Sequence, residues 1–274
     1  MITSITLTYN EEKNIEECIQ SLKSIVDRII VLDGNSTDNT VEIAKKNGAE
    51  VYKKECGYFE RFNWGLELAE NTDWILFLDA DERMTCEACE ELKILCDRYA
   101  STNINGIVVN YRVHFMGKEL HYGGTILHKL RIFKPGTAFM ENITLDQHIR
   151  LHWGSSVRMK SFLLHKDYKG LQIWSNKHIT YADLASNDYM LKKNKVENVE
   201  FSGLDRSARI KRIIKYYFYY KLPIGIRAWG FYIYRYYFLL GFLDGIEGKI
   251  FAFLHAYWYR FLVDAMIYEK GRDS

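Results

Sequence analysis

Four short apolar runs in the first hundred residues, separated by single helical patterns, constrain this chain more than any other feature. The runs are "ITSITLTYN", "DRIIVLDG", "AEVYKKE" and "DWILFLDADE". Between them, "EEKNIEECIQSLKSI" places Ile15, Ile19 and Leu22 on one helical face, and "NWGLELAEN" reads as a helix. The segment "NSTDNTVEIAKKNG" reads as a helix capped by Ser36 or Thr37 and stopped at Gly48. Strands joined by single helices run parallel, and helices cover both faces of such a sheet. The expected class is therefore α/β, a Rossmann-like, mostly parallel sheet with helices on both faces.

Ligands of such sheets bind outside the carboxyl ends of the strands. The polar clusters Thr8–Glu11, Asp33–Asp38 and Asp79–Glu82 all fall at those ends. The last is the sharpest. In "ILFLDADERM" an apolar strand runs into Asp79 and Asp81, carboxylates close enough to raise each other's pKa unless a positive charge lies between them. The pair is either a solvated loop or a holder of Mg²⁺ or Mn²⁺, hard cations that share oxygen ligands with phosphates.

These segments also carry a resemblance. "TLTYNEEKNIEECIQSL", "VLDGNSTDNT", "GYFERFNWGLELA" and "WILFLDADE", in that order and spacing, resemble the nucleotide-binding half of family-2 glycosyltransferases with the GT-A fold. "LDQHIRL" and "HKDYKGLQIWSNKHITYADL" are similar to segments of bacterial members that build lipopolysaccharide core, O-antigen or capsule. The resemblance implies a nucleotide-sugar site of Thr8, Tyr9, Glu11, Asp33, Arg61, Asn63 and Asp79. Tyr9 and Glu11 would contact base and ribose, Asp33 would accept from the base imide, and Arg61 and Asn63 would lie near the nucleotide. Asp79 and Asp81 would hold the ribose and a metal-bound diphosphate, with His165, at the end of "SFLL", as a further metal ligand. Taken singly these residues have ordinary readings: Asn63 as a helix N-cap, Ser36 and Asp38 as capping residues.

An inverting transferase needs a base to take the acceptor proton. The resemblance puts it in "ITLDQHI", at Asp146, with Glu141 as the second candidate; Gln147 departs from the family pattern. Trp174, Lys177, His178 and Tyr181 share one helical face by their spacing. Trp174, Lys177 and His178 are candidate acceptor contacts, as is Arg131, near a Gly123–Gly124 hinge.

Charged residues make up 26% of the 274-residue chain and the net charge is +2, which gives no global signal for nucleic acid. The opening "MITSITLTYN" lacks the basic and apolar regions of a secretory signal, so five cysteines are expected as reduced thiols in the cytoplasm. Cys86 and Cys89 form a lone C-x-x-C without a second half; Cys89, Leu92 and Cys96 fall at helical spacing and read as core.

Residues 1–100 are expected to form the nucleotide-sugar half, 101–200 the acceptor half and 201–274 an aromatic helical extension. The candidate span around 246–268 holds Glu247, Lys249, Arg260 and Asp264, which argues for helices lying on a membrane surface, or packed on a second subunit, over a crossing. The expectation is an inverting glycosyltransferase with a divalent cation. It would carry sugar from a uridine-linked donor to a lipid-linked saccharide, on the inner face of the membrane, with assembly into a homo-oligomer left open. The alternatives are an Mg²⁺-dependent nucleotidyltransferase, which would show a glycine-rich basic N-terminal loop, and a non-catalytic membrane scaffold.

Overall fold

The structure is a computed structural model that describes residues 1–141, 147–167, 169–193 and 222–272, with the side chains of 192 and 193 left aside. It divides into two compact units, Met1–Glu119 with Thr125–Gly170, and Leu120–Gly124 with Leu171–Ser274.

The first unit is built on a sheet. In chain order its elements are β1 (Ile2–Thr8), α1 (Ile15–Leu22), β2 (Arg28–Asp33), α2 (Thr40–Lys46), β3 (Glu50–Lys53), α3 (Tyr58–Leu68), β4 (Trp74–Phe77), β5 (Glu82–Arg83) and α4 (Cys86–Tyr99). Then come β6 (Ile104–Phe115), β7 (Lys118–Glu119), β8 (Leu127–Phe133), β9 (Ala138–Met140), β10 (Ile149–Leu151) and β11 (Ser155–Lys166). The strand order is β3-β2-β1-β4-β8-β6-β11-β5, with β7 on β6 and β9–β10 as a separate pair. β3, β2, β1 and β4 run parallel, as the strand–helix alternation requires. β8 is antiparallel to both β4 and β6, and β11 returns parallel to β6. The sheet is therefore α/β, parallel through the half that the alternation covers and mixed beyond it.

Both faces are covered. Trp74, Leu76 and Leu78 point into a cluster with Cys18 and Leu22 of α1 and Ala88, Leu92 and Cys96 of α4. Ile75 and Phe77, one residue out of phase, point into the opposite cluster with Phe62 of α3. A strand apolar on both sides is what burial between two helical layers demands. Cys89 and Cys96 are buried in this core as their helical spacing implies, whereas Cys86 is exposed.

Three local readings are corrected. α2 begins at Thr40 with Asn39 as N-cap, because Ser36 turns back to bind Asp33. α3 begins at Tyr58 with Gly57 as N-cap, so Asn63 lies inside the helix rather than capping it. Arg131, expected as an acceptor contact near the Gly123–Gly124 hinge, is a β8 strand residue only 5% exposed, because the buried Glu82 and half-buried Asp79 carboxylates pull it inward.

The second unit is helical: α5 (Leu171–Lys193), Ile226–Ile233 continuing into a π-type turn Tyr234–Phe238, and the run Gly241–Arg272 with a π-type stretch at Ala252–Trp258. Within it the loop Leu120–Gly124 is anchored where the His121 and Tyr122 amides donate to the Asp244 carboxylate at 3.0 and 2.9 Å. By length and composition Gly241–Arg272 is sufficient to cross a membrane, and 28% of its apolar window is buried. The charges that argued against a crossing are in part paired: Asp264 meets Arg227 at 2.5 Å, both nearly inaccessible.

Candidate functional site

The parallel register sets Thr8 opposite Asp33, so β1 and β2 end at one level. Thr8 Oγ1 donates to Asp33 Oδ1 at 3.0 Å, and the Ser36 amide and hydroxyl reach the same carboxylate at 2.8 and 2.5 Å. Asn10 and Asn35 adopt left-handed backbone, the conformation asparagine tolerates best among side-chain-bearing residues. Their loops lock together: the Asn10 amide donates to Ser36 Oγ at 2.8 Å, and the Thr37 amide to Asn10 Oδ1 at 2.9 Å. Asp33 is thus fully buried yet fixed in orientation. Tyr9 beside it is 56% exposed, leaving its ring open to a planar ligand.

From α3, Arg61 reaches back to the Thr8 carbonyl at 2.8 Å. Its guanidinium comes up against Gly34, where a Cβ would stand 2.1 Å from Nη1. Glycine at this position is what lets the cation approach the strand ends. Asn63, two residues along, is half-buried in the same helix.

The strand end after β4 resolves the repulsion that its sequence implies. Asp79 takes Arg131 on Oδ2 at 2.5 Å and the Tyr58 hydroxyl on Oδ1 at 2.9 Å. Arg131 also binds Glu82 at 2.8 Å, Lys129 approaches Glu82 at 3.3 Å, and the Tyr111 hydroxyl donates to Glu82 at 2.8 Å. Burial alone would raise the Asp79 carboxyl; the Arg131 and Lys129 charges outweigh it and hold the group below its ordinary range. Burial and the neighbouring carboxylates push the Tyr58 and Tyr111 hydroxyls well above the usual phenol value, so both remain donors.

Asp81 is occupied differently. His165, at the end of β11, sets Nε2 3.3 Å from Asp81 Oδ2, and the Lys166 amide donates to the Asp81 carbonyl at 2.7 Å. Burial opposes a charge on His165, but the Asp81 carboxylate reverses this and raises the imidazole pKa. Glu11 pairs with Lys169 and accepts from Asn14 at 2.8 Å. Its carboxyl is raised, chiefly by burial, with Asp81 adding to the effect.

One carboxylate and one imidazole converging at a strand end form a donor set suited to Mn²⁺ or Mg²⁺. Among the described residues no group of three or more His, Cys, Asp or Glu forms a closed cage. The pair therefore suits an ion whose other positions are filled by ligand oxygens and water. Asp79 has its two oxygens engaged by Arg131 and Tyr58.

Thr8, Tyr9, Asp33 and Arg61 gather at the ends of β1 and β2, and Asp79, Asp81, Arg131 and His165 at the end of β4. Asp146 lies outside the described residues. Glu141, at the end of β9, is ion-paired with Arg150 at 2.5 Å. Trp174, Lys177 and His178 belong to the helical unit. There Trp174 and His178 stack at 3.6 Å, His178 meets Tyr259 edge-on at 5.4 Å, and Lys177 lies 5.9 Å from the Tyr181 ring. Sequence reasoning missed Tyr58, Tyr111 and Lys129, whose pattern reads as ordinary helix and strand. Only the charge imbalance at Asp79–Glu82 signalled that partners were needed.

A family profile described as Glycosyl transferase family 2 matches residues 3–162. An uncharacterized glycosyltransferase of Rickettsia typhi is 38% identical over 117 residues, 40% of this chain and 39% of the relative. The SPbeta prophage-derived glycosyltransferase SunS of Bacillus subtilis is 38% identical over 87 residues, 29% of this chain and 20% of that protein. The matched segment thus spans well under half of these relatives. Among solved structures, glucosyl-3-phosphoglycerate synthase from Mycobacterium tuberculosis, in complex with Mn²⁺, uridine diphosphate and glucosyl-3-phosphoglycerate, is 28% identical. That likeness covers 41% of this chain and 44% of the other, with a TM-score of 0.35.

Proposed function

Because this chain belongs to glycosyl transferase family 2, we propose that it is an inverting glycosyltransferase that moves a sugar from a uridine diphosphate donor to a lipid-linked saccharide. The observation that supports this best is the gathering of a buried, oriented Asp33 and an Asp81–His165 pair at carboxyl ends of the parallel sheet half. Asp33 accepts from the imide N–H of the base, Tyr9 covers the base, and Arg61 lies beside the nucleotide. Asp81 and His165 would hold a Mn²⁺ or Mg²⁺ ion, which when bound stabilises the leaving diphosphate. Arg131 keeps Asp79 ionised and in place beside it.

The acceptor hydroxyl forms its new bond to the anomeric carbon as the bond from that carbon to the diphosphate oxygen breaks. Its proton passes to a carboxylate, assigned to Asp146. Of the two candidates, Glu141 is the weaker, since its carboxylate is already engaged by Arg150 at 2.5 Å. Trp174, Lys177 and His178 are assigned to the acceptor, and the exposed aromatic side chains of the helical unit to the cytoplasmic membrane surface that presents it.

The test is calorimetric titration of uridine diphosphate into the full chain, with and without Mn²⁺, alongside Asp81→Asn. Metal-dependent binding that the variant loses supports the reading. Binding indifferent to metal and variant removes the metal from it, and no binding of any nucleotide sinks the transferase assignment.

A further inference from the structure

The helical unit carries a second constellation, outside the segment that the family match spans. Arg235 is 6% exposed. Its Nε donates to the Gly123 carbonyl at 2.5 Å and Nη1 meets His255 Nδ1 at 2.7 Å. Its other Nη has no protein acceptor among the described residues. Arg260 lies 5.1 Å from the centre of the Phe231 ring, the same ring that Arg235 approaches at 5.9 Å. Among the described residues the Arg260 Nε is a buried donor with no acceptor. His255 stacks on Phe251 at 5.2 Å.

Elsewhere in the unit buried charge is answered. Asp264 takes Arg227, and Asp244 takes the His121 and Tyr122 amides. Among the described residues no carboxylate pairs with Arg235 or Arg260. Arginine cannot shed its proton to escape burial, so two guanidiniums leaning on one ring are left without a carboxylate counter-anion among the described residues. Burial and both arginines hold His255 far below the ordinary imidazole value, so it is neutral. Accepting at Nδ1, it leaves Nε2–H as a further donor. Arg235 and His255 both sit in π-type turns, which are frequent at functional sites. Planar guanidinium forks match the oxygens of a phosphoryl group as they do a carboxylate, and a phosphoryl group has oxygens enough for two forks and an imidazole N–H.

We propose that Arg235, Arg260 and His255 form a binding site for a phosphoryl anion, built within the helical unit alone. The anion is either the phosphate of a lipid headgroup or a soluble phosphate or diphosphate. The site stands without the donor assignment.

The experiment uses the full chain, Arg260→Gln and Arg260→Lys, in chelator to keep divalent ions away. Inorganic pyrophosphate is titrated calorimetrically, and phosphatidylcholine vesicles with and without phosphatidic acid are tested by co-sedimentation. Pyrophosphate affinity is expected to fall about tenfold in Arg260→Gln and to recover in Arg260→Lys. A preference for phosphatidic acid lost in the same variant identifies a headgroup; loss in the soluble arm alone identifies a soluble ligand, and either outcome supports the site. Unchanged binding of both probes by a variant that melts like the parent overturns it. Should Arg260→Gln not fold, Arg235→Lys, which replaces the guanidinium fork by a single ammonium, carries the same expectation. Uridine diphosphate binding with Mn²⁺, measured in parallel, is unaffected by these changes, so failure of the donor reading registers separately.

Discussion

At Arg131 one guanidinium satisfies two carboxylates, Asp79 and Glu82, in a setting where Glu82 is fully inaccessible. Removing one partner of a buried pair is far more damaging than the net worth of the pair, because the remaining charge is stranded. Arg131→Met is therefore expected to lose about 3–5 kcal/mol of stability by denaturant unfolding. Arg131→Lys, which keeps the charge but not the fork, should fall between. Gly34 tests the nucleotide side. A methyl there meets only the tip of Arg61, a flexible group that can swing aside. Gly34→Ala should leave the melting temperature nearly unchanged while weakening uridine diphosphate binding about tenfold, the loss of one charged contact. A large fall in melting temperature would show instead that the glycine serves packing.

Among the elements, β11 shows how a strand irregularity is stabilised. Its register against β6 shifts between Arg158 and Phe162, and the backbone groups freed there are taken up by Glu91 of α4. The Lys160 and Ser161 amides donate to that carboxylate at 2.8 Å, and the Ser161 hydroxyl also donates to it. Burial raises the Glu91 carboxyl, but these donors outweigh it and the folded-state pKa is lowered. A lowered pKa contributes stability above the unfolded-state value of about 4.3, and that stability is lost as pH falls through the folded value. Glu91→Gln should thus be less stable than the parent by about 1–2 kcal/mol near neutral pH. The two unfolding midpoints should converge in acid; a gap constant across pH would deny the carboxylate its role. Because β11 also carries His165, the same bulge fixes where that imidazole meets Asp81.

For the molecule as a whole, the helical unit leaves Trp229 59% and Phe238 74% exposed. Each apolar side chain moved from water to a lipid interface contributes about 1.5–3 kcal/mol. The pair Trp229→Ser and Phe238→Ser should lower partition into vesicles at least tenfold, read by co-sedimentation. Equal partition would place these rings against a second copy of the chain, visible as a change in its mass in solution. Periodicity alone determined the strand–helix alternation, the parallel half of the sheet and the gathering of Thr8, Asp33 and Asp79 at its edge. These follow from local hydrophobic pattern and from the geometry of crossover connections, both written in neighbouring residues. What periodicity could not hold was the partner of each charge. Arg131 answers Asp79 across 52 positions and Lys169 answers Glu11 across 158. Such pairings depend on which strands lie side by side once β8 and β11 have joined the sheet. Only the tertiary structure decided that Asp79 belongs to an arginine and Asp81 to a histidine, because Coulomb energy depends on distance in space and not along the chain.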